Sequence, residues 1–113
     1  MLNTNQSTVS CDLSALSEDE RRFQERVVAR MRDERLEVAE LADGFAVRYP
    51  AGRTMIEDLA RFITLERLCC PFFTFELQLT SESELWLGLR GAPEVKAYLR
   101  ESWPFPLAQE GAA

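Results

Sequence analysis

Twice along this chain a stretch with the helical period gives way to two alternating segments around a polar turn, and that rhythm restricts the folds open to it. "SEDE" opens the first helix as a capping box, with Ser17 at the N-cap and Glu20 three residues on. Phe23, Val27 and Met31 follow at four-residue spacing, with Val28 beside them. "LEVAELADGFAVRY" then sets Asp43-Gly44, a favoured two-residue hairpin turn, between runs rich in Val, Phe and Tyr. The second run alternates, with Phe45, Val47 and Tyr49 on one face and Ala46 and Arg48 on the other.

The rhythm repeats after the breaker "PAG". Thr54 and Glu57 offer a second capping box, and Ile56, Leu59, Ile63 and Cys70 share one stripe of a helical wheel, with Phe62 and Cys69 adjoining it. Pro71 stops this helix and disfavours helical backbone at Cys70. Phe73, Phe75, Leu77 and Leu79 then point inward, alternating with Thr74, Glu76 and Gln78. The turn "SESE" leads to Leu85, Leu87 and Leu89 on a buried face, and Pro93 is placed to start a last helix carrying Val95, Tyr98 and Leu99. The tail, residues 103–113, is irregular, and its Trp103, Phe105 and Leu107 either clamp over the core or pack against another subunit.

This pattern predicts helices near 18–34, 54–70 and 93–102, and strands near 36–42, 45–49, 72–80 and 85–90. Strands with one apolar face need cover, and three amphipathic helices can supply it. The expected fold class is α+β: a single two-layer domain with a mostly antiparallel four-stranded sheet, helices packed on one face, in the order α-β-β-α-β-β-α. A chain of 113 residues fits one such domain. Its first ten residues, polar and uncharged, are expected to be flexible, and pattern alone leaves open a short strand over "STVSC".

A net charge of −6 and a pI near 4.7 argue against a nucleic-acid partner, which needs a surplus of Lys and Arg on one face. "MLNTNQSTVS" lacks the basic and apolar segments of a secretory signal, and no apolar run approaches the roughly 20 residues that span a bilayer. The expectation is therefore a cytoplasmic protein without a membrane partner. Three cysteines and no histidine, in a chain able to build its own core, fit a reducing compartment where thiols stay free for metal or redox chemistry.

The adjacent Cys69 and Cys70 end the second helix, and each could be a small core residue. A disulfide between these neighbours needs a strained eight-membered ring and could only be a labile redox switch. Zinc favours four ligands at spacings such as C-x-x-C with histidine, and three thiols without an imidazole do not meet that. Soft thiolate-seeking ions need fewer ligands, and three sulfurs suit a trigonal site for arsenite, Hg(II) or Cu(I). The negative end of a helix dipole raises thiol pKa values, and Glu66, one turn back on the same face, adds to that. As a carboxylate Glu66 could also accept a thiol proton or complete a coordination shell; the alternative is a surface glutamate paired with Arg67 or a neighbour.

"CDLS", "LERLCCPFFTFEL" and "LWLGLRGAPEVKAYL" resemble, in that order, the C-x-L-S, E-R-x-C-C-x-F-x-x-F-x-L and W-L-x-x-x-G-P elements of a group of small, functionally uncharacterised bacterial proteins. These are similar to proteins encoded near mercury-type regulators and metal-resistance genes. The resemblance covers roughly residues 11–100. It implies that Cys11, Cys69 and Cys70 form one site; Glu66 and Arg67 are candidates for a supporting shell around a metal held there, and a transcriptional regulator is a candidate partner. The chain departs from the pattern in "SESE", where a glycine-containing turn is expected, and in "GAP" for "GP".

The leading functional expectation is thiolate binding of a soft metal or metalloid ion, of the Hg, As(III) or Cu(I) class, by a cytoplasmic sensor accessory, buffer or carrier. An enzyme using Cys69 or Cys70 as nucleophile, in thiol transfer or organometal cleavage, is the alternative; lacking histidine, it would depend on Glu66, Arg67 or Arg61 for activation. A protein-interaction module built on "PFFTF" and "WPFPL" is the third, and a homodimer sharing cysteines between subunits stays open.

Overall fold

The computed structural model describes residues 11–108. The expectations for residues 1–10, for most of "STVSC" and for the tail beyond 108 lie outside the described residues. A single 3-10 turn, Leu13–Ala15, precedes α1 (Glu18–Glu34), β1 (Glu37–Leu41), β2 (Gly44–Tyr49), α2 (Arg53–Cys69), β3 (Thr74–Leu79), β4 (Leu85–Arg90) and α3 (Pro93–Glu101). The sheet is four-stranded in the order β1-β2-β4-β3, with every neighbouring pair antiparallel. This is the α+β domain of order α-β-β-α-β-β-α.

α1 begins where its capping box directs: the Ser17 hydroxyl accepts from the Glu20 amide at 3.1 Å, and the Glu20 carboxylate accepts from the Ser17 amide at 2.9 Å. α2 starts differently. Its N-cap is Gly52, with no side-chain cap, so Thr54 and Glu57 do not form the expected box; Glu57 instead pairs with Arg53 at 3.2 Å. α2 ends at Cys69 because Pro71 bars helical backbone at Cys70, which takes φ −130 and ψ 72.

Phe45, Val47 and Tyr49 of β2 and Leu85, Leu87 and Leu89 of β4 are buried on the sheet face that the helices cover. The opposite face is polar, tied by ion pairs such as Arg90 with Glu76 at 2.9 Å and Arg48 with Glu37 at 3.0 Å. The first hairpin turns at Ala42-Asp43, one residue earlier than expected, because Gly44 already pairs with Leu41. Gly44 is required for closeness, not for turn backbone: a Cβ there would overlap the Leu89 carbonyl oxygen on β4.

Two burial expectations change. β3 lies at the sheet edge, so only Phe73, just before it, is fully buried; Phe75 and Leu77 are half-buried and Leu79 is 54% exposed. The buried stripe of α2 runs through Met55, Leu59, Phe62, Glu66 and Cys69, leaving Ile56 and Ile63 half-buried. α2 contacts α1 as well as the sheet, and Gln24 of α1 meets Phe62 and Glu66, so that side of the wheel is covered too.

Trp103, Phe105 and Leu107 clamp over the protein's own core, all buried. The Trp103 amide donates to the Tyr98 carbonyl and the Leu107 amide to the Leu99 carbonyl, each at 3.0 Å, which folds the irregular tail back along α3.

Candidate functional site

"CDLS" places Cys11 by local backbone chemistry. The Asp12 amide donates to the Cys69 carbonyl at 2.8 Å, pinning the start of the described chain to the end of α2. The Asp12 carboxylate accepts from the Ser14 amide and caps the 3-10 turn, whose carbonyls at Leu13 and Leu16 are bound by Nη1 of Arg21. Leu16 is buried, so the turn is anchored by packing as well.

The result brings sequence-distant sulfur atoms together. Cys11 and Cys70, 59 residues apart, are joined by a disulfide. This corrects the expectation of three free thiols: only Cys69 remains free. Its Sγ lies 3.6 Å from the Cys70 Sγ, and the neighbouring pair is not bonded. The sulfur of the half-buried Cys11 also lies 3.7 Å from the Tyr98 hydroxyl.

Glu66 is the second correction. It is only 6% exposed and pairs with no cation among the described residues; Nε2 of Gln24 donates to its Oε1 at 3.2 Å and Nε1 of Trp103 to its Oε2 at 3.3 Å. A carboxylate oxygen of Glu66 and the sulfurs of Cys11 and Cys70 all lie within 4.8 Å of one another, a group able to hold a metal ion once the two thiols are free. Arg67 is exposed, makes no ion pair among the described residues and does not line the cavity beside the sulfurs.

Burial governs the protonation of this cluster. It pushes the Glu66 carboxyl above its ordinary value, and the two neutral hydrogen bonds from Trp103 and Gln24 only partly oppose it. Burial, then the nearby Glu66, then Asp12 push the Cys69 thiol up to about 11, against a backbone hydrogen bond that lowers it. The Tyr98 hydroxyl is raised for the same leading reason.

Beside the cluster opens a cavity of about 460 Å3, bordered by all three cysteines, Glu66, Gln24 and Trp103. Sequence reasoning did not single out Gln24, and it named Trp103 as a tail residue but not as part of this site. Gln24 carried a readable signal, a polar residue three positions before Val27 and seven before Met31 on an otherwise apolar stripe. Trp103 carried none, because only the folded-back tail brings its indole to Glu66. No protein-family model, curated protein or solved structure matches this chain.

Proposed function

We propose that the protein, with its Cys11–Cys70 bond reduced, binds a soft metal or metalloid ion of the Hg(II), As(III) or Cu(I) class through Cys11, Cys69 and Cys70. The observation that carries this reading is the convergence of the Cys11 and Cys70 sulfurs and a Glu66 carboxylate oxygen within 4.8 Å of one another, with the Cys69 sulfur outside that group but 3.6 Å from Cys70. A metal–sulfur bond of about 2.3 Å spans a trigonal set whose sulfurs stand roughly 3.5–4.5 Å apart. Glu66 stands close enough to add an oxygen ligand.

A thiol held up to about 11 is a poor nucleophile at neutral pH but an effective ligand, since a bound soft cation displaces its proton. That favours binding over nucleophilic catalysis. The resemblance to proteins encoded near mercury-type regulators supports a cytoplasmic role in metal resistance, as a sensor accessory, buffer or carrier with a transcriptional regulator as partner. Titration of the reduced protein with Hg(II), arsenite and Cu(I), in competition with glutathione, tests the reading. Each Cys→Ser change is expected to weaken binding strongly; an affinity no better than that of a cysteine-free variant for every ion would end it.

A further inference from the structure

The cavity beside the sulfurs is far larger than a bare ion requires. Its volume of about 460 Å3 exceeds the share of one water molecule, about 30 Å3, more than tenfold. Leu13, Leu16, Val28 and Pro104 contribute apolar wall. Among the described residues, one buried acceptor on its wall is left without a partner, and two charged side chains border it without an ion pair. Gln24, 7% exposed and on the cavity wall, has its Nε2 engaged by the Phe62 carbonyl and Glu66, while its buried Oε1 accepts no hydrogen bond. A buried acceptor left unmet is costly, and a ligand N–H would satisfy it. Arg21 and Glu25 border the same cavity with opposite charges, and neither makes an ion pair among the described residues.

We infer that this cavity binds a small cysteine-derived thiol, carrying N–H donors and a carboxylate, and that this thiol opens the Cys11–Cys70 disulfide by exchange at Cys11. The carboxylate faces Arg21, whose guanidinium has N–H groups beyond the Nη1 used on Leu13 and Leu16. An ammonium faces Glu25, and an amide or ammonium N–H meets Oε1 of Gln24. Cys11 is a half-buried residue on the cavity wall, whereas Cys70 is 1% exposed, so Cys11 is the end of the bond assigned to attack.

The exchange balances without a further oxidant. The thiolate of the small molecule bonds to Cys11 Sγ, the Cys11–Cys70 bond breaks, and its electron pair leaves on Cys70 Sγ, which takes up a proton. A second small thiol attacks the first one's sulfur in the mixed disulfide, releasing the Cys11 thiol and the symmetrical small-molecule disulfide. Two small thiols are oxidised and one protein disulfide is reduced. This step would deliver the free-thiol state that ion binding requires, yet it proceeds without any ion.

The test uses the oxidised full-length protein with a chelator and no metal. Glutathione and 2-mercaptoethanol are compared at equal thiolate concentration, with alkylation quenching and intact-mass detection of the products. Glutathione is expected to open the bond about tenfold faster, the difference one good charged contact supplies, with its adduct on Cys11. Arg21→Gln and Gln24→Met are each expected to lower the ratio of the two rates toward one. Arg21→Gln retains a donor for the Leu13 and Leu16 carbonyls, and melting temperature checks both variants for folding. Equal rates for the two thiols in the parent protein, an adduct on Cys70, or a ratio unchanged in both variants overturns the inference. Failure of ion titration on chemically reduced protein would reject the metal reading and leave these exchange rates untouched.

Discussion

Trp103 donates its indole Nε1–H to Oε2 of Glu66 at 3.3 Å, so a residue of the irregular tail holds the buried carboxylate beside the sulfur cluster. The same ring packs edge-on to Phe62, with centroids 6.0 Å apart, and joins the tail to the middle of α2. Truncation before Trp103 is therefore expected to lower the melting temperature markedly, since it removes three buried apolar side chains worth about 1.5–3 kcal/mol each. An unchanged melting temperature would show that the tail only rests on the core.

Glu66 makes stability depend on pH. Burial raises its pKa above the ordinary 4.5, so the folded protein holds this proton more tightly than the unfolded chain does. The stabilisation is fully present below the unfolded value and is lost as pH rises through the raised folded value. Glu66→Gln, which cannot ionise, is expected to gain stability relative to the parent across that rise. Urea midpoints measured from about pH 4 to pH 8 on oxidised, metal-free protein check this, and parallel curves would contradict it.

Reduction of Cys11–Cys70 releases a loop of 59 residues, and the chain-entropy relation assigns such a closure about 4 kcal/mol. The oxidised parent is thus expected to exceed Cys70→Ser in stability by about that much, with most of the gap closing when the parent is reduced. Denaturant midpoints with and without a phosphine reductant measure both differences. A gap that survives reduction would assign the loss to packing around Cys70.

Phe73 and Phe75 stand two residues apart and differ in environment. Phe73 is buried and meets the rings of Phe72, Phe75, Tyr98 and Trp103, so Phe73→Ala is expected to cost about 3–5 kcal/mol. Phe75, half-buried on the edge strand, is expected to lose less, about 1–2 kcal/mol. Equal losses, read from denaturant midpoints, would mean that the edge is covered in solution.

Ser83 adopts φ 63 in the second hairpin turn, where its amide donates to the Thr80 carbonyl at 2.9 Å. Left-handed backbone costs a residue with a Cβ about 1–2 kcal/mol, partly offset by the greater unfolded freedom of glycine. Ser83→Gly is expected to stabilise the protein by up to about 1 kcal/mol, measured by thermal or urea unfolding. A destabilised variant would mean that the serine side chain supports this turn.

Period and punctuation in the sequence determined the elements themselves. Ser17 and Glu20 start α1, Pro71 ends α2, and the alternation of β2 and β4 selects their buried face, because caps, breakers and a two-residue period act within a few residues. What lies between elements could not be read so. The strand order left β3 at an edge and half-exposed Phe75, although its alternation matches that of a central strand. Cover from α1 buried Glu66, a residue whose spacing alone fits a surface helix face equally well. The three cysteines were visible as candidates, but the Cys11–Cys70 bond and the free Cys69 depend on the chain start docking on the end of α2, where the Asp12 amide meets the Cys69 carbonyl. Contacts across tens of residues depend on how the layers pack, and one-dimensional pattern carries no measure of that.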